Sequence, residues 1–183
     1  ATDAAVATVV RTEGAHENKA FQRFGAQGPL AFLPLGQSPS DTYCSAVIWS
    51  QDRAVTENVA SLDDAAFINA LQDASEGVLG RIHEVDQRFS FLLSEHVVDD
   101  FNPLPRLLVI GDAARTIHPL AGQGVNLGLE DVAGIIDKSA AIPDLGGPDV
   151  WRAFAHRRHV RAQTMIRSMR FLRGTYGYAY PVG

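Results

Sequence analysis

One stretch constrains this chain more than any other: R-L-L-V-I-G-D-A-A-R-T-I-H-P-L-A-G-Q-G-V-N-L-G-L-E-D-V-A-G-I-I, from Arg106 to Ile136. Leu107, Leu108, Val109 and Ile110 form an unbroken apolar run, which predicts a strand buried on both faces. Gly111 closes the run and Asp112 follows, at the carboxyl end of a strand, where open sheets bind ligands. Pro119, Gly122 and Gly124 then break or bend the backbone. Val125, Leu129, Val132, Ile135 and Ile136 recur at spacings of three and four, which predicts a helix from Val125 onward. The unit is therefore strand, acid, glycine-rich turn, helix. Glycines let a backbone come close to a ligand. The free N–H groups of a helix's first turn favour an anion or an electron-rich carbonyl. Asp112 is placed to accept hydrogen bonds from a hydroxylated ligand. The chemistry expected of such a site is a molecule with hydroxyls and a phosphate or an anionic ring.

The glycines do not form a dinucleotide fingerprint. In G-Q-G-V-N-L-G the third glycine falls one residue late, and about ten residues separate the strand from the helix, where the fingerprint needs a tight turn. No phosphate-loop pattern of glycines followed by Lys and Ser or Thr occurs either.

The string G-D-A-A-R-T-I-H-P-L-A-G-Q-G-V-N-L-G-L-E-D resembles the second flavin-binding motif of the FAD-dependent aromatic hydroxylases, the class A flavin monooxygenases. Within them it is most similar to the ubiquinone-biosynthesis hydroxylases, whose usual string is G-D-A-A-H followed by H-P-x-x-G-Q-G-x-N-L-G. Gln22-Arg23-Phe24 followed by G-P-L-A-F-L-P-L from Gly28 to Leu35 resembles the substrate-domain sheet of that subgroup. The arginines near His156 to Arg158 add weaker support. One departure stands inside the motif: Arg115 occupies the place where the family usually has His. A second is the lack of the G-x-G-x-x-G unit that holds the ADP half of FAD, so the resemblance is to the carboxyl-terminal half of such an enzyme.

The resemblance implies FAD and NAD(P)H as cofactors and hydroxylation of an aromatic ring with O2, the substrate being a polyprenylated phenol on the ubiquinone pathway. Asp112, after Gly111, would bind the ribityl chain. Gly122, Gln123 and Gly124 would shape the turn beside the isoalloxazine ring, and Pro119 would lie against it. The backbone N–H groups of Val125 and Asn126 would meet the pyrimidine carbonyl, where reduction places negative charge. His118 is read as a local packing or hydrogen-bonding position, and no residue is singled out as catalytic. Two alternatives stay open: a truncated, catalytically inactive fragment or assembly module, and a flavin hydroxylase of a soluble aromatic.

The implied fold is α/β in the broad sense (α+β). A mixed sheet of the substrate domain with a covering helix is expected over residues 1–104, and the strand-turn-helix of the FAD-binding domain over 105–140. A linker and a long basic helix are expected over 141–183. Before the motif, Ala4 to Arg11, Pro29 to Leu35, Thr42 to Ser50 and Arg88 to Leu93 read as strands, the second and third as an antiparallel hairpin. Ser61-Leu-Asp-Asp64 reads as a capping box with Ser61 as N-cap, opening a helix with Phe67, Ile68, Leu71 and Ala74 on its apolar face. After the linker, Trp151, Phe154, Ala155, Ala162, Met165, Ile166, Met169 and Leu172 form a helical stripe. The tail from Gly174 shows no helical pattern.

Charge narrows the partners. The whole chain carries −5, yet seven arginines and no acid follow Trp151, which leaves −12 for the rest. The net charge argues against nucleic-acid binding by the whole surface, and none is expected. The uneven charge permits an anionic membrane surface or an acidic protein partner at the arginine-rich helix. With half of the parent fold missing, an exposed apolar face and self-association are expected. The single Cys44 forms no internal disulfide, the histidines have no metal spacing, and no run is long and apolar enough to span a bilayer. A reducing, cytoplasmic location, at most peripheral to a membrane, is expected.

Overall fold

The computed structural model describes residues 3–25, 28–36, 39–117 and 124–178. It divides into two compact units, Ala1–Leu93 and Ser94–Gly183.

The first unit is an antiparallel sheet with helices on one face. Its strands are β1 (Asp3–Thr12), β2 (Phe21–Gly25), β3 (Gly28–Pro34), β4 (Cys44–Asp52), β5 (Ile82–Val85) and β6 (Phe89–Leu92). Their order is β2-β3-β4-β1-β5, and β6 pairs with the amino-terminal part of β1 while β5 pairs with its end. A mixed sheet was the expectation; every described pairing is antiparallel. The reason is topological. The long connection through α1 (Arg53–Ser61) and α2 (Asp64–Ser75) brings β5 back parallel to β4, but β1 lies between the two.

The alternation in β1 sets the core. Val6, Thr8 and Val10 are buried. Across the ladders Val6 lies opposite Trp49, which lies opposite Leu30; Thr8 lies opposite Val47, which lies opposite Phe32. Phe67 and Leu71 of α2 pack on these rows, with Phe67 edge-on to Trp49 at a centroid distance of 6.5 Å. Each such buried side chain contributes roughly 1.5–3 kcal/mol. The helix is capped by Asp63, whose carboxylate accepts from the Ala66 N–H at 2.8 Å. Ser61 is therefore not its N-cap. It ends α1, where its hydroxyl donates to the Asn58 carbonyl. His16 is buried, with Nε2 at 3.1 Å from the Asp41 carbonyl and Nδ1 accepting from the Asn18 N–H.

The second unit contains a two-stranded ribbon of β7 (His96–Val97) and β8 (Arg115–Thr116), and the helices α3 (Gly111–Ala114), α4 (Gly124–Ser139) and α5 (Arg152–Tyr178). The stripe expected on α5 is largely buried, at Trp151, Phe154, Ala155, Ala162, Ile166 and Met169. The helical backbone continues to Tyr178, past the Gly174 at which no helix was expected.

The run Leu107–Ile110 is not a strand. Its described pairing is an isolated bridge between Leu104 and Leu107 and one bond from the Val109 N–H to the Phe101 carbonyl, 2.8 Å. Leu107 is exposed. An apolar run becomes a strand only when neighbours take up its backbone groups. Among the described residues no strand flanks this one.

Candidate functional site

Gly111 stands at the centre of the second unit's polar architecture. Its φ of +60° favours glycine, and a Cβ built there would meet nothing within 4 Å. Asp112 follows in the one-turn helix α3, exposed, rather than at the tip of a strand as the sequence implied. Helix α4 starts at Gly124, where a Cβ would also meet nothing within 4 Å among the described residues, and Val125 and Asn126 in its first turn are exposed. The two segments approach closely, since a Cβ on Gly128 would lie 3.6 Å from the Gly111 Cα. Thus Gly111, Asp112, Gly124, Val125 and Asn126 fall on two adjoining pieces of backbone. Pro119, Gly122, Gln123 and His118 lie outside the described residues.

The helical spacing in α4 is as expected, but the face it turns inward is not the apolar stripe. Val125, Leu129 and Ile136 are 73%, 62% and 62% exposed, and Val132 is exposed as well. Leu127 and Asp131 are the residues of this helix that are buried. Gly134 lies on the same side, so close to Phe154 that an added Cβ would sit 2.6 Å from its ring.

Asp131 is the residue the sequence reading did not single out. Its side chain is 1% exposed, and a buried carboxylate needs partners. It has three. Oδ2 accepts from the Gly111 N–H at 3.1 Å and from Arg115 Nη1, and Oδ1 accepts from Arg158 Nε at 2.5 Å. Burial pushes the Asp131 carboxyl up; the hydrogen bonds from Arg115, Gly111 and Arg158 outweigh it and hold the group below the usual carboxylate range. Arg158 also donates to the Leu127 carbonyl and to Glu130, each at 2.9 Å. Glu130 is lowered in turn, by Arg161 first and Arg158 second. The signal in the sequence was the pair of acids in G-L-E-D and the acid-free helix that follows; neither states which charge is buried.

Arg115, where His is usual in the resembling motif, is buried with Asp131, and its Nη2 has no hydrogen-bond partner. The guanidinium carbon stands 5.7 Å from the Phe101 ring centroid. The basic stripe of α5 is mostly spent inside this unit. Arg158 and Arg161 pair with Glu130, Arg170 with Glu95 and Arg152 with Asp149. Among the described residues no group of His, Cys, Asp and Glu is placed to hold a metal ion, and no helix is long and apolar enough to cross a membrane.

The chain as a whole falls in a flavoprotein class. Residues 3–169 match the FAD binding domain family, and the chain belongs to that family. It is 32% identical over 142 residues to the ubiquinone hydroxylase UbiL of Rhodospirillum rubrum, covering 78% of this chain and 32% of that protein. It is 30% identical over 167 residues to the mitochondrial ubiquinone biosynthesis monooxygenase COQ6 of Mus musculus, covering 73% of this chain and 34% of that protein. The chain thus spans about a third of the length of these relatives. In fold it is similar to pqsL of Pseudomonas aeruginosa, a probable FAD-dependent monooxygenase, with a TM-score of 0.72 at 16% identity over 97% of this chain and 49% of that one. The α/β class read from the sequence is the fold observed.

Proposed function

We propose that this chain supplies the flavin-ring side of an FAD-dependent monooxygenase that hydroxylates the aromatic ring of a polyprenylated phenol, a ubiquinone precursor. The observation that carries the reading is the open Gly111–Asp112 turn beside the first turn of α4. The described residues fit such a group, since beyond the adjacent backbone none of them lies within 4 Å of the position a side chain would take at Gly111 or Gly124. Similarity to COQ6 and UbiL supports the choice of a quinone precursor.

In this reading FAD, when bound, would supply the oxygen chemistry, with NAD(P)H as reductant and O2 as oxidant, so that one oxygen atom would end in the ring and the other in water. The chain's own groups bind and orient. The Asp112 carboxylate accepts hydrogen bonds from the ribityl hydroxyls. The N–H groups of Val125 and Asn126, in the first turn of α4, would face the pyrimidine edge and favour the negative charge that reduction brings there. Pro119, Gly122 and Gln123 are assigned to the turn beside the ring by their place in the motif. The antiparallel sheet of the first unit is assigned to the substrate domain of such an enzyme. The exposed stripe of α4 supports self-association of the chain as it stands.

The test is a titration of the purified chain with FAD, followed by flavin fluorescence and absorbance, with Asp112→Ala alongside. Weak, saturable binding that weakens further in the variant is the expected result. Wild-type binding would be followed by NAD(P)H oxidation with prenylated and with soluble phenols, and preference for the prenylated ring is expected. A folded chain that shows no saturable binding overturns the reading for this chain.

A further inference from the structure

We propose that Asp131 is the positioning residue of the flavin turn: it fixes the Gly111 backbone from beneath, and Arg115 and Arg158 keep it charged and in place. This rests on the FAD reading above.

The geometry is specific to positioning. Four segments converge on one buried carboxylate: α3 through the Gly111 N–H, β8 through Arg115, α5 through Arg158, and α4, which carries it. Gly111 needs such an anchor. Its left-handed φ is open to glycine without cost, and no side chain of its own fixes it. The same face of α4 supplies the second contact, because Gly128 precedes Asp131 by one helical turn and lies against the Gly111 Cα. The amide thus points inward to Asp131, while the exposed Asp112 follows on the outer side.

Arg158 locks the post itself. Its bonds to the Leu127 carbonyl and the Glu130 carboxylate tie it to the turn of α4 that leads into Asp131. Arg115 contributes a charge with one nitrogen left unpartnered, so removal of Asp131 alone would strand a buried cation. That loss is structural and has to be separated from loss of the anchor.

Two variants separate them. Asp131→Leu, of similar size and without an acceptor, removes the anchor and strands Arg115. Asp131→Leu with Arg115→Met removes the anchor together with the stranded charge. The expected result is that the double variant recovers most of the wild-type thermal stability. Its Gly111 to Ala114 amides nevertheless exchange roughly tenfold faster than in the wild type, with β4 amides as internal control, and FAD binds roughly tenfold more weakly. Wild-type FAD affinity in a folded double variant would overturn the proposal, as would unchanged exchange at Gly111. Failure of the wild-type chain to bind FAD would instead overturn the reading on which the role is built, and the two failures are told apart by the wild-type titration alone.

Discussion

Arg158 on α5 reaches Asp131 on α4 with its Nε 2.5 Å from Oδ1, and both side chains are shielded from water. Removing one partner of such a pair leaves the other charge stranded in a poor solvent. Arg158→Ala is expected to cost roughly 3 kcal/mol, at the low end of the range for breaking a buried pair, because Arg115 remains to hold Asp131. Arg158→Lys keeps the charge and cannot reach Asp131, Glu130 and the Leu127 carbonyl together, so it is expected to recover less than half of that loss. Urea unfolding of both variants measures the two values.

The acid limb of the stability curve should carry the same signature. The carboxyl of Asp131 lies lower in the folded chain than in the unfolded one, and so does that of Glu130. Groups of this kind stabilise the fold above their unfolded pKa, and the contribution is lost as pH falls through their folded pKa. Wild type should therefore lose stability more steeply than Asp131→Leu with Arg115→Met as pH drops below the usual carboxylate range. Thermal melts taken through that window test it, and parallel curves would contradict it.

Gly134 offers a case where two magnitudes compete. Glycine to alanine inside a helix usually gains up to about 1 kcal/mol. Here the new methyl carbon would lie 2.6 Å from the Phe154 ring, which is buried and stands edge-on to Trp151. Overpacking of this kind costs roughly 1–3 kcal/mol. The clash wins, and Gly134→Ala is expected to lower the melting temperature rather than raise it.

The apolar stripe of α4 makes an opposite demand. Leu129 and Ile136 are both 62% exposed, so charge at these positions breaks no packing within the chain. The wild-type chain is expected to associate as its concentration rises. Leu129→Lys with Ile136→Lys is expected to remain monomeric with an unchanged melting temperature. Light scattering over a concentration series decides; a monodisperse wild-type monomer would count against the association.

Much of the first unit was legible because alternation is local. Val6, Thr8 and Val10 in β1, and the hairpin of β3 and β4, follow from period-two patterns and their bounding turns. Helix α1 was not legible, since it follows β4 without a breaker and buries little beyond Thr56. Nor was β5, four residues long with His83 and Glu84 exposed. In the second unit the spacing of Val125, Leu129, Val132 and Ile136 disclosed a helix but not which side faces inward. Periodicity shows which residues share a face; the choice of the inner face here depends on Arg115 and Arg158, which lie outside the helix. For the same reason Asp131 stood within the quoted motif unnoticed. The apolar character of Leu107–Ile110 was read correctly, and its strand was not, because pairing is a property of neighbours.

The separation of these partners along the chain has a consequence for folding. Asp131 lies 20 residues after Gly111 and Arg158 a further 27 residues on, so the turn is closed by contacts that span two loops. Closing such loops costs entropy that is recovered only when the last helix docks. The Gly111 turn is then among the last parts of this unit to become rigid. A chain ending just after α4 would retain every residue assigned to touch the cofactor and lack the contact that sets their arrangement. Synthesis of the site is complete only when the arginine helix has emerged.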